Sequence, residues 1–391
     1  MELATGSSLA QVFSLLLMPV ISRIYSPKDM GDYALYVAIS SILGVLGNFR
    51  LDFAVILAGD EEEGSRLVWL GLGSSVMVAL LALLGLCLIR EPGAFAYYTA
   101  ASIGCIGGIQ SLVNWHSRQK SYRLLSTRSA GEKLLVLLLG IGMGYWGMTQ
   151  YGLIVSQTAG LVFSLLYLLL TAGLEPPRFA RRLWVETLHK FSDFPLKNFL
   201  ATVLVAFSMF FPSILIAANF EKAELGYYNL ASRVFDIPIN LIGYTFSTVY
   251  YKHTSTSSAP YRLKLFWKSL KLLAMVFLPA FFIASVWGPS IFKIVFGVQW
   301  AQSGVLAQWM APLTAMRLFF ISQSTLLLVQ RKLGLDLGIS LGLFVAQISG
   351  FLIGNYYYHS ILACVVAMSA LGVLVYLVGL SLIHRVLVEE V

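Results

Sequence analysis

The chain has 391 residues, of which 58% are hydrophobic and 12% charged, and its mean hydropathy is +0.78. An ordinary soluble domain carries roughly 25% charged residues, so this composition excludes one and places the chain in a bilayer. The formal net charge of +8 needs no nucleic acid to explain it, because the basic residues collect in short links, where anionic headgroups attract them.

About 20 apolar residues suffice for a helical span. The sequence predicts twelve, near residues 3–21, 33–57, 67–89, 95–115, 132–148, 152–173, 197–219, 226–250, 272–288, 302–329, 336–355 and 361–384. The first run passes through Gln11 and Pro19 to Arg23 with no basic region ahead of it, which is not the pattern of a cleavable signal peptide. Arg23 falls at its outer end. The hexamer Lys28-Asp29-Met30-Gly31-Asp32-Tyr33 links spans 1 and 2, and Arg50 and Asp52 occupy the inner third of span 2.

Cys87, Cys105 and Cys364 all lie within spans and read as packing residues, not as an exported disulfide framework. Gly142-Met143-Gly144-Tyr145-Trp146-Gly147 fits a dinucleotide fingerprint by letter. It follows a membrane helix instead of a strand and has no acid some 20 residues on, so no cofactor is expected. Gly104 with Gly108, Gly140 with Gly144, Gly338 with Gly342 and Gly350 with Gly354 are small-residue pairs that let helix backbones approach within the monomer. Trp146, Tyr151, Tyr356, Tyr357 and Tyr358 sit at outer boundaries as an aromatic belt.

Two basic links alternate apolar and cationic faces at helical spacing. Phe179, Leu183, Leu188 and Phe191 oppose Arg178, Arg181, Arg182 and Lys190; Leu263, Phe266, Trp267 and Leu270 oppose Lys264, Lys268 and Lys271. Each reads either as a helix lying on the membrane or as a solvated link. Twenty of the 27 basic residues fall in even-numbered links or the C-terminal tail, and five in odd-numbered links. The positive-inside rule therefore places both termini in the cytoplasm.

The chain is built twice. Ala223-Glu224-Leu225-Gly226-Tyr227-Tyr228 echoes the first hexamer 195 residues later, at the same place between two apolar runs. The expected architecture is an all-α integral membrane protein with two six-helix lobes, residues 1–174 and 197–391, joined by an amphipathic cytoplasmic linker at 175–196. Six spans per half give both halves one orientation, the arrangement of a parallel repeat.

Links of roughly 25 residues or fewer leave no room for a soluble nucleotide-binding domain. The chain has no phosphate-binding loop, no His-Glu-x-x-His and no Gly-x-Ser-x-Gly, and its five histidines make no metal-ligand spacing. The chemistry that remains is ionic and lies inside spans. A mid-span arginine costs roughly 2.5–3.5 kcal/mol on insertion scales, so it faces a partner or a wet cavity. Arg233 and Arg317 meet that description. Arg317 has no acid near it in sequence. Arg233 and Asp236 share a face of span 8 just before Pro238, which removes a helical hydrogen bond. Two readings stand for each group: Arg233–Asp236 is a structural ion pair or part of a site, and Arg23 and Arg50 snorkel to headgroups or line a chamber between the halves. A chamber lined by arginines suits a diphosphate, because each guanidinium presents a planar fork of donors. Asp52 and Asp236 are candidate carboxylates for an ion pair or a coupling ion. Asn48, Gln110, Asn114, Gln323 and Gln347 are the scattered polar groups available to a glycan.

The chain resembles the Wzx-type polysaccharide repeat-unit flippases of the multidrug/oligosaccharidyl-lipid/polysaccharide exporter superfamily. The carrying segments run from Ile21-Ser22-Arg23-Ile24-Tyr25-Ser26-Pro27 to Gly31-Asp32-Tyr33-Ala34-Leu35, then Phe49-Arg50-Leu51-Asp52-Phe53-Ala54-Val55. In the second half they are Phe194-Pro195, Gly226-Tyr227-Tyr228 leading to Arg233 and Pro238, and Phe296-Gly297-Val298-Gln299-Trp300. The resemblance implies a twelve-helix alternating-access transporter of the bacterial inner membrane. It would move undecaprenyl-diphosphate-linked oligosaccharides to the outer leaflet for O-antigen (lipopolysaccharide), capsule or exopolysaccharide assembly. It implies no cofactor; the partners would be the lipid-linked oligosaccharide, membrane lipids, a polysaccharide polymerase and a chain-length regulator. Related lipid II flippases carry arginines at positions that map onto Arg23, Arg50 and Arg233. The basic stretch that usually precedes span 1 in the family is missing here. Three rival readings stand beside it: a purely structural membrane scaffold, which would not require mid-span arginines, and two functions that use similar membrane architecture. A multidrug antiporter of this fold would hold organic cations with acids, and a membrane polymerase or ligase would offer a long outer link.

Overall fold

The computed structural model describes residues 17–89, 93–174, 181–191, 199–330 and 332–390. The first part of span 1, Arg178 and Phe179 of the linker, and the Phe194-Pro195 segment lie outside the described residues. After helical residues 17–24, the first half comprises α1 (Pro27–Leu46), α2 (Leu51–Leu57), α3 (Glu61–Ile89), α4 (Ala94–Arg118), α5 (Tyr122–Tyr145) and α6 (Thr149–Thr171). Then come α7 (Arg181–Lys190) and α8 (Phe199–Asn219). The second half continues with α9 (Lys222–Pro238), a π-helical turn (Ile239–Gly243), α10 (Tyr244–Ser255), α11 (Ala259–Phe296), α12 (Ala301–Val329), α13 (Leu333–Tyr358) and α14 (Ile361–Glu389). Among the described residues α1, α3, α6, α11, α12, α13 and α14 are long and apolar enough to cross a membrane. Their outward faces are apolar too: α3 exposes Val76, Leu80, Leu84 and Leu88 at helical spacing, and α11 exposes Met275, Val276, Phe282 and Ile283. These are lipid-facing surfaces.

The repeat is visible in the packing. In the first half α4 packs on α2, α3 and α6, and α5 packs on α6; in the second, α12 packs on α10, α11 and α14, and α13 packs on α14. Every partner is eight helices on. The chain forms two units, one of Met1–Tyr25 with Asp32–Ile214, the other of Ser26–Gly31 with Leu215–Val391. The core of the first gathers Leu51, Val55, Leu67, Leu112, Trp115 and Leu168; that of the second gathers Tyr250, Phe266, Phe320, Leu326, Ile383 and Leu387.

Helix α1 starts as its sequence dictates. The Ser26 hydroxyl donates to the Asp29 carboxylate at 2.6 Å, the Ser26 amide donates to the same oxygen at 3.0 Å, and Ser26 Oγ accepts from the Asp29 amide at 3.3 Å. With Pro27 as the first helical residue, this is a capping box. One turn later the echoed glycines meet each other's helix. A Cβ on Gly31 would lie 1.8 Å from the Lys222 carbonyl oxygen, and one on Gly226 would lie 1.9 Å from the Pro27 carbonyl oxygen. Both contacts are inside the second unit. The Phe296–Trp300 segment joins the same cluster. Gly297, at φ 113°, turns the chain from α11 to α12, in a region L side chains avoid. Trp300 is fully buried with the Tyr227 ring edge-on at 6.1 Å.

Two expectations change. Span 2 is not one helix: α1 stops at Leu46 and α2 begins at Leu51. The second basic segment is not a separate surface helix either. Leu263, Lys264, Trp267 and Lys271 open the 38-residue α11, whose length of about 57 Å exceeds a hydrocarbon core of roughly 30 Å. The Lys pattern marks where this helix leaves the membrane. The linker does contain the short helix α7, whose Lys190 pairs with Glu63 while Phe191 packs into the first core.

Helices α11 and α12 carry a proline each near their crossing. Pro289 has no N–H for the Ser285 carbonyl, and Gln308 Nε2 donates to that oxygen at 2.9 Å. Pro312 has none for the Gln308 carbonyl, and Ser285 Oγ donates there at 3.3 Å. Each helix repairs its neighbour's vacated acceptor, as membrane helices with interior prolines require. Gly288 and Gly304 permit the approach, each placing a Cβ position 2.5 Å from the other's carbonyl oxygen. Gln308→Leu is expected to cost about 1 kcal/mol in wild type. In a Pro289→Ala background, where residue 289 donates to Ser285 itself, the cost should be close to zero. Unfolding in mixed micelles across the four-variant cycle reads this difference, and equal costs in both backgrounds would exclude the repair.

Candidate functional site

Each unit holds one charged cluster at an irregular point of its second span. In the first unit α1 gives way at Gly47, and Phe49 (φ 49°) and Arg50 (φ 61°) both take the left-handed conformation. Such residues cost about 1 kcal/mol or more each and persist only where their surroundings hold them. Fully buried Asn48 does the holding. Its Oδ1 accepts the Arg50 amide at 3.0 Å, and its Nδ2 donates to Gln110 Oε1 on α4 at 3.2 Å. Beyond the break the Arg50 guanidinium lies 4.2 Å from the centre of the Phe53 ring, and its Nη1 is 3.8 Å from Asp52 Oδ2. Asn114 Nδ2 donates to that Asp52 oxygen at 3.2 Å. Arg118 closes the C-terminal end of α2 by donating to the Val55 and Asp60 carbonyls at 3.1 and 3.0 Å.

In the second unit α9 ends at Pro238 and the backbone widens into the π turn Ile239–Gly243, an irregularity frequent at functional sites. One turn before it, Asp236 Oδ1 receives Arg317 Nη1 from the middle of α12 at 3.0 Å. The Arg317 side chain is 27% exposed and that of Asp236 39%. Arg233 lies three residues before Asp236, half-buried on the same helix. The π turn comes close to α12 beside Arg317, since a Cβ on Gly243 would lie 3.2 Å from Leu318 Cδ1.

The six predicted charged residues thus divide. Arg50 lies beside Asp52 in the first unit, Arg317 pairs with Asp236 in the second, and Arg23 is exposed on helical residues 17–24. Arg317, which has no acid near it in sequence, takes its carboxylate from 81 positions away. Asn48 and Gln110 are engaged in holding the break at residues 47–50, Asn114 donates to Asp52, and Gln323 Nε2 donates to Ser269 Oγ at 2.9 Å. Each of these four amides thus has a partner within the protein. Buried Glu132 of α5 escaped the sequence reading. It accepts from Ser164 at 2.7 Å and lies 3.5 Å from Arg128, and the four-residue spacing from Arg128 was its only signal. Among the described residues no three His, Cys, Asp or Glu side chains group as a metal site.

Comparison with known proteins agrees with this architecture. No curated protein matches the chain. A lipid II flippase, MurJ, in an inward closed conformation superposes with a TM-score of 0.71 at 15% identity, over 96% of this chain and 86% of that one. An inward-facing multidrug resistance MATE family transporter of the MOP superfamily gives 0.67 at 12% identity, over 100% and 95%. A MOP superfamily transporter from Pyrococcus furiosus, described by a reverse polarity of its binding pocket, gives 0.59 at 13% identity, over 100% and 95%. At such identities the likeness establishes the fold, that of the MOP superfamily transporters. The model of the family described as polysaccharide biosynthesis protein matches residues 20–304, well over half of the sequence, and the chain belongs to that family.

Proposed function

We propose that this protein flips polyprenyl-diphosphate-linked oligosaccharide units, with undecaprenyl the expected polyprenol, from the cytoplasmic to the outer leaflet of a bacterial inner membrane by alternating access. The observation that carries the reading is Arg317. A guanidinium in the middle of a 29-residue apolar helix, partly exposed and paired with a carboxylate that lies three residues from a second arginine, suits an anion with several oxygens. Arg233 and Arg317 hold the diphosphate, and Arg50 and Arg23 supply further positive charge. Both termini face the cytoplasm, and the delivered unit passes to a polysaccharide polymerase governed by a chain-length regulator. Membership of a polysaccharide biosynthesis family and the likeness to a lipid II flippase support the substrate class.

Organic-cation export is the rival reading for this fold. It would hold the cation on an acid, whereas Asp236, Asp52 and Glu132 each have an arginine beside them, Arg317, Arg50 and Arg128. A polymerase or ligase needs catalytic groups on a long outer link, and the links that join the described helices are short. The deciding experiment reconstitutes the full chain in vesicles and follows a natural diphosphate-linked oligosaccharide between leaflets. Movement above protein-free vesicles is the expected result. Vesicles that export organic cations and leave the lipid-linked sugar in place would establish the rival.

A further inference from the structure

We infer that the outward face of α11 binds an acidic phospholipid, with the headgroup phosphate on Lys264, Lys268 and Lys271 and an acyl chain in the groove beyond them. Two independent features of this helix meet on one stripe. The three lysines follow one another at steps of four and three residues, so they share a face, and all are exposed. Among the described residues none of them has an ionic or hydrogen-bonding partner. The same steps continued along the helix reach Met275, Leu278 and Phe282, all exposed. With the smaller Ala274 and Pro279 beside them, these three line a shallow groove of about 690 Å³.

The dimensions are those of one leaflet. From Lys271 to Phe282 the helix rises about 16 Å, close to half of a hydrocarbon core of roughly 30 Å, and the lysines continue for about 10 Å through the headgroup layer. At their level Trp267, also exposed, stands edge-on to the His384 ring at 5.3 Å, the place an interfacial tryptophan takes. Glu389 and Glu390 at the end of α14 are matched by Arg385 and Arg262, so their charge is taken up locally. The repeat-related α3 supplies the contrast. It has a groove of the same kind, lined by Val76, Leu80 and Leu84 among others, but opens on Glu61, Glu62 and Glu63, so only α11 joins a groove to unmatched positive charge. A groove one leaflet deep fits an acyl chain, whereas the much longer undecaprenyl chain outruns it. On the orientation proposed above, the lipid lies in the cytoplasmic leaflet, where acidic phospholipids give the surface its negative potential.

Full-length protein in nanodiscs with spin-labelled phosphatidylglycerol or phosphatidylcholine tests this, because a bound lipid is motionally restricted. Wild type should favour phosphatidylglycerol by about fivefold, the worth of one lysine at an anionic surface, and the preference should shrink as salt rises. Lys264→Gln/Lys268→Gln/Lys271→Gln should abolish it. These lysines are exposed and make no contacts, so the variant should fold as wild type does. Lys120→Gln/Lys252→Gln/Lys332→Gln, which removes the same charge from other links, should keep the preference. A preference that survives the first variant, or that disappears equally in both, would overturn the inference. So would displacement of the labelled lipid by undecaprenyl diphosphate but not by unlabelled phosphatidylglycerol, which would make the groove a substrate site.

Discussion

Arg317→Ala is expected to slow diphosphate-lipid flipping by about a hundredfold. A hydrogen bond to a charged group is worth about 1.5–3 kcal/mol, and a fork on a diphosphate makes up to two such bonds, at about 1.4 kcal/mol per factor of ten. The same substitution strips Asp236 of its partner. Because that side chain is 39% exposed and Arg233 remains three residues away on the same helix, the stability loss should stay near 1–2 kcal/mol. The two effects separate in the double variant Arg317→Ala/Asp236→Ala, which removes both charges. Thermal stability should recover there, while flipping should not. Arg317→Lys keeps the charge but loses the planar fork, so its rate should fall between the two. A wild-type flipping rate in Arg317→Ala would show that the arginine is structural and end the site assignment.

The second large effect belongs to the glycine crossing. Gly226→Ala places a methyl 1.9 Å from the Pro27 carbonyl oxygen, and Gly31→Ala places one 1.8 Å from that of Lys222. Both obstacles are backbone, so no side chain can rotate away, and the helices must part by more than 1 Å. Each variant should lose on the order of 3 kcal/mol, at the upper end for overpacking. The double variant should lose little more than either alone, because the first methyl already opens the gap that the second needs. Gly338→Ala is the control. Nothing lies within 4 Å of a Cβ there, and alanine in a helix is worth about 0.5–1 kcal/mol over glycine. Unfolding midpoints of the four variants in one detergent decide the matter. Additive losses at Gly31 and Gly226 would mean two independent contacts.

Much of this was legible in the sequence because it is periodic or compositional. Hydropathy shows where helices cross, basic links show where they end, and the 195-residue echo names the glycines that meet. What composition cannot show is a partner. Nothing near Arg317 in sequence points to Asp236, because α9 and α12 come together only through packing. The break at residues 47–50 was hidden for another reason. Gly47 and Asn48 are weak helix formers that a membrane span can still accommodate, and the left-handed turn exists because Gln110 and the Gly107 carbonyl bind Asn48 from outside. Pro238 did signal an irregularity in its span, but not the π turn that follows it. In the basic start of α11 an interfacial helix and a protruding one have the same amphipathic letters, and only the continuous helical backbone distinguishes them.

The exchange of acceptors between α11 and α12 also restricts the order in which this chain can diverge. A lineage that first loses Pro289 regains an amide at that position and can later dispense with Gln308 at little cost. One that first loses Gln308 must pass through a protein with an orphaned Ser285 carbonyl within a membrane helix. Relatives that keep Gln308 without Pro289 should therefore be common, and those with the proline but neither Gln308 nor another donor in its place should be rare. The same asymmetry holds for Pro312 and Ser285, which makes the four positions a small unit of inheritance spread over two helices.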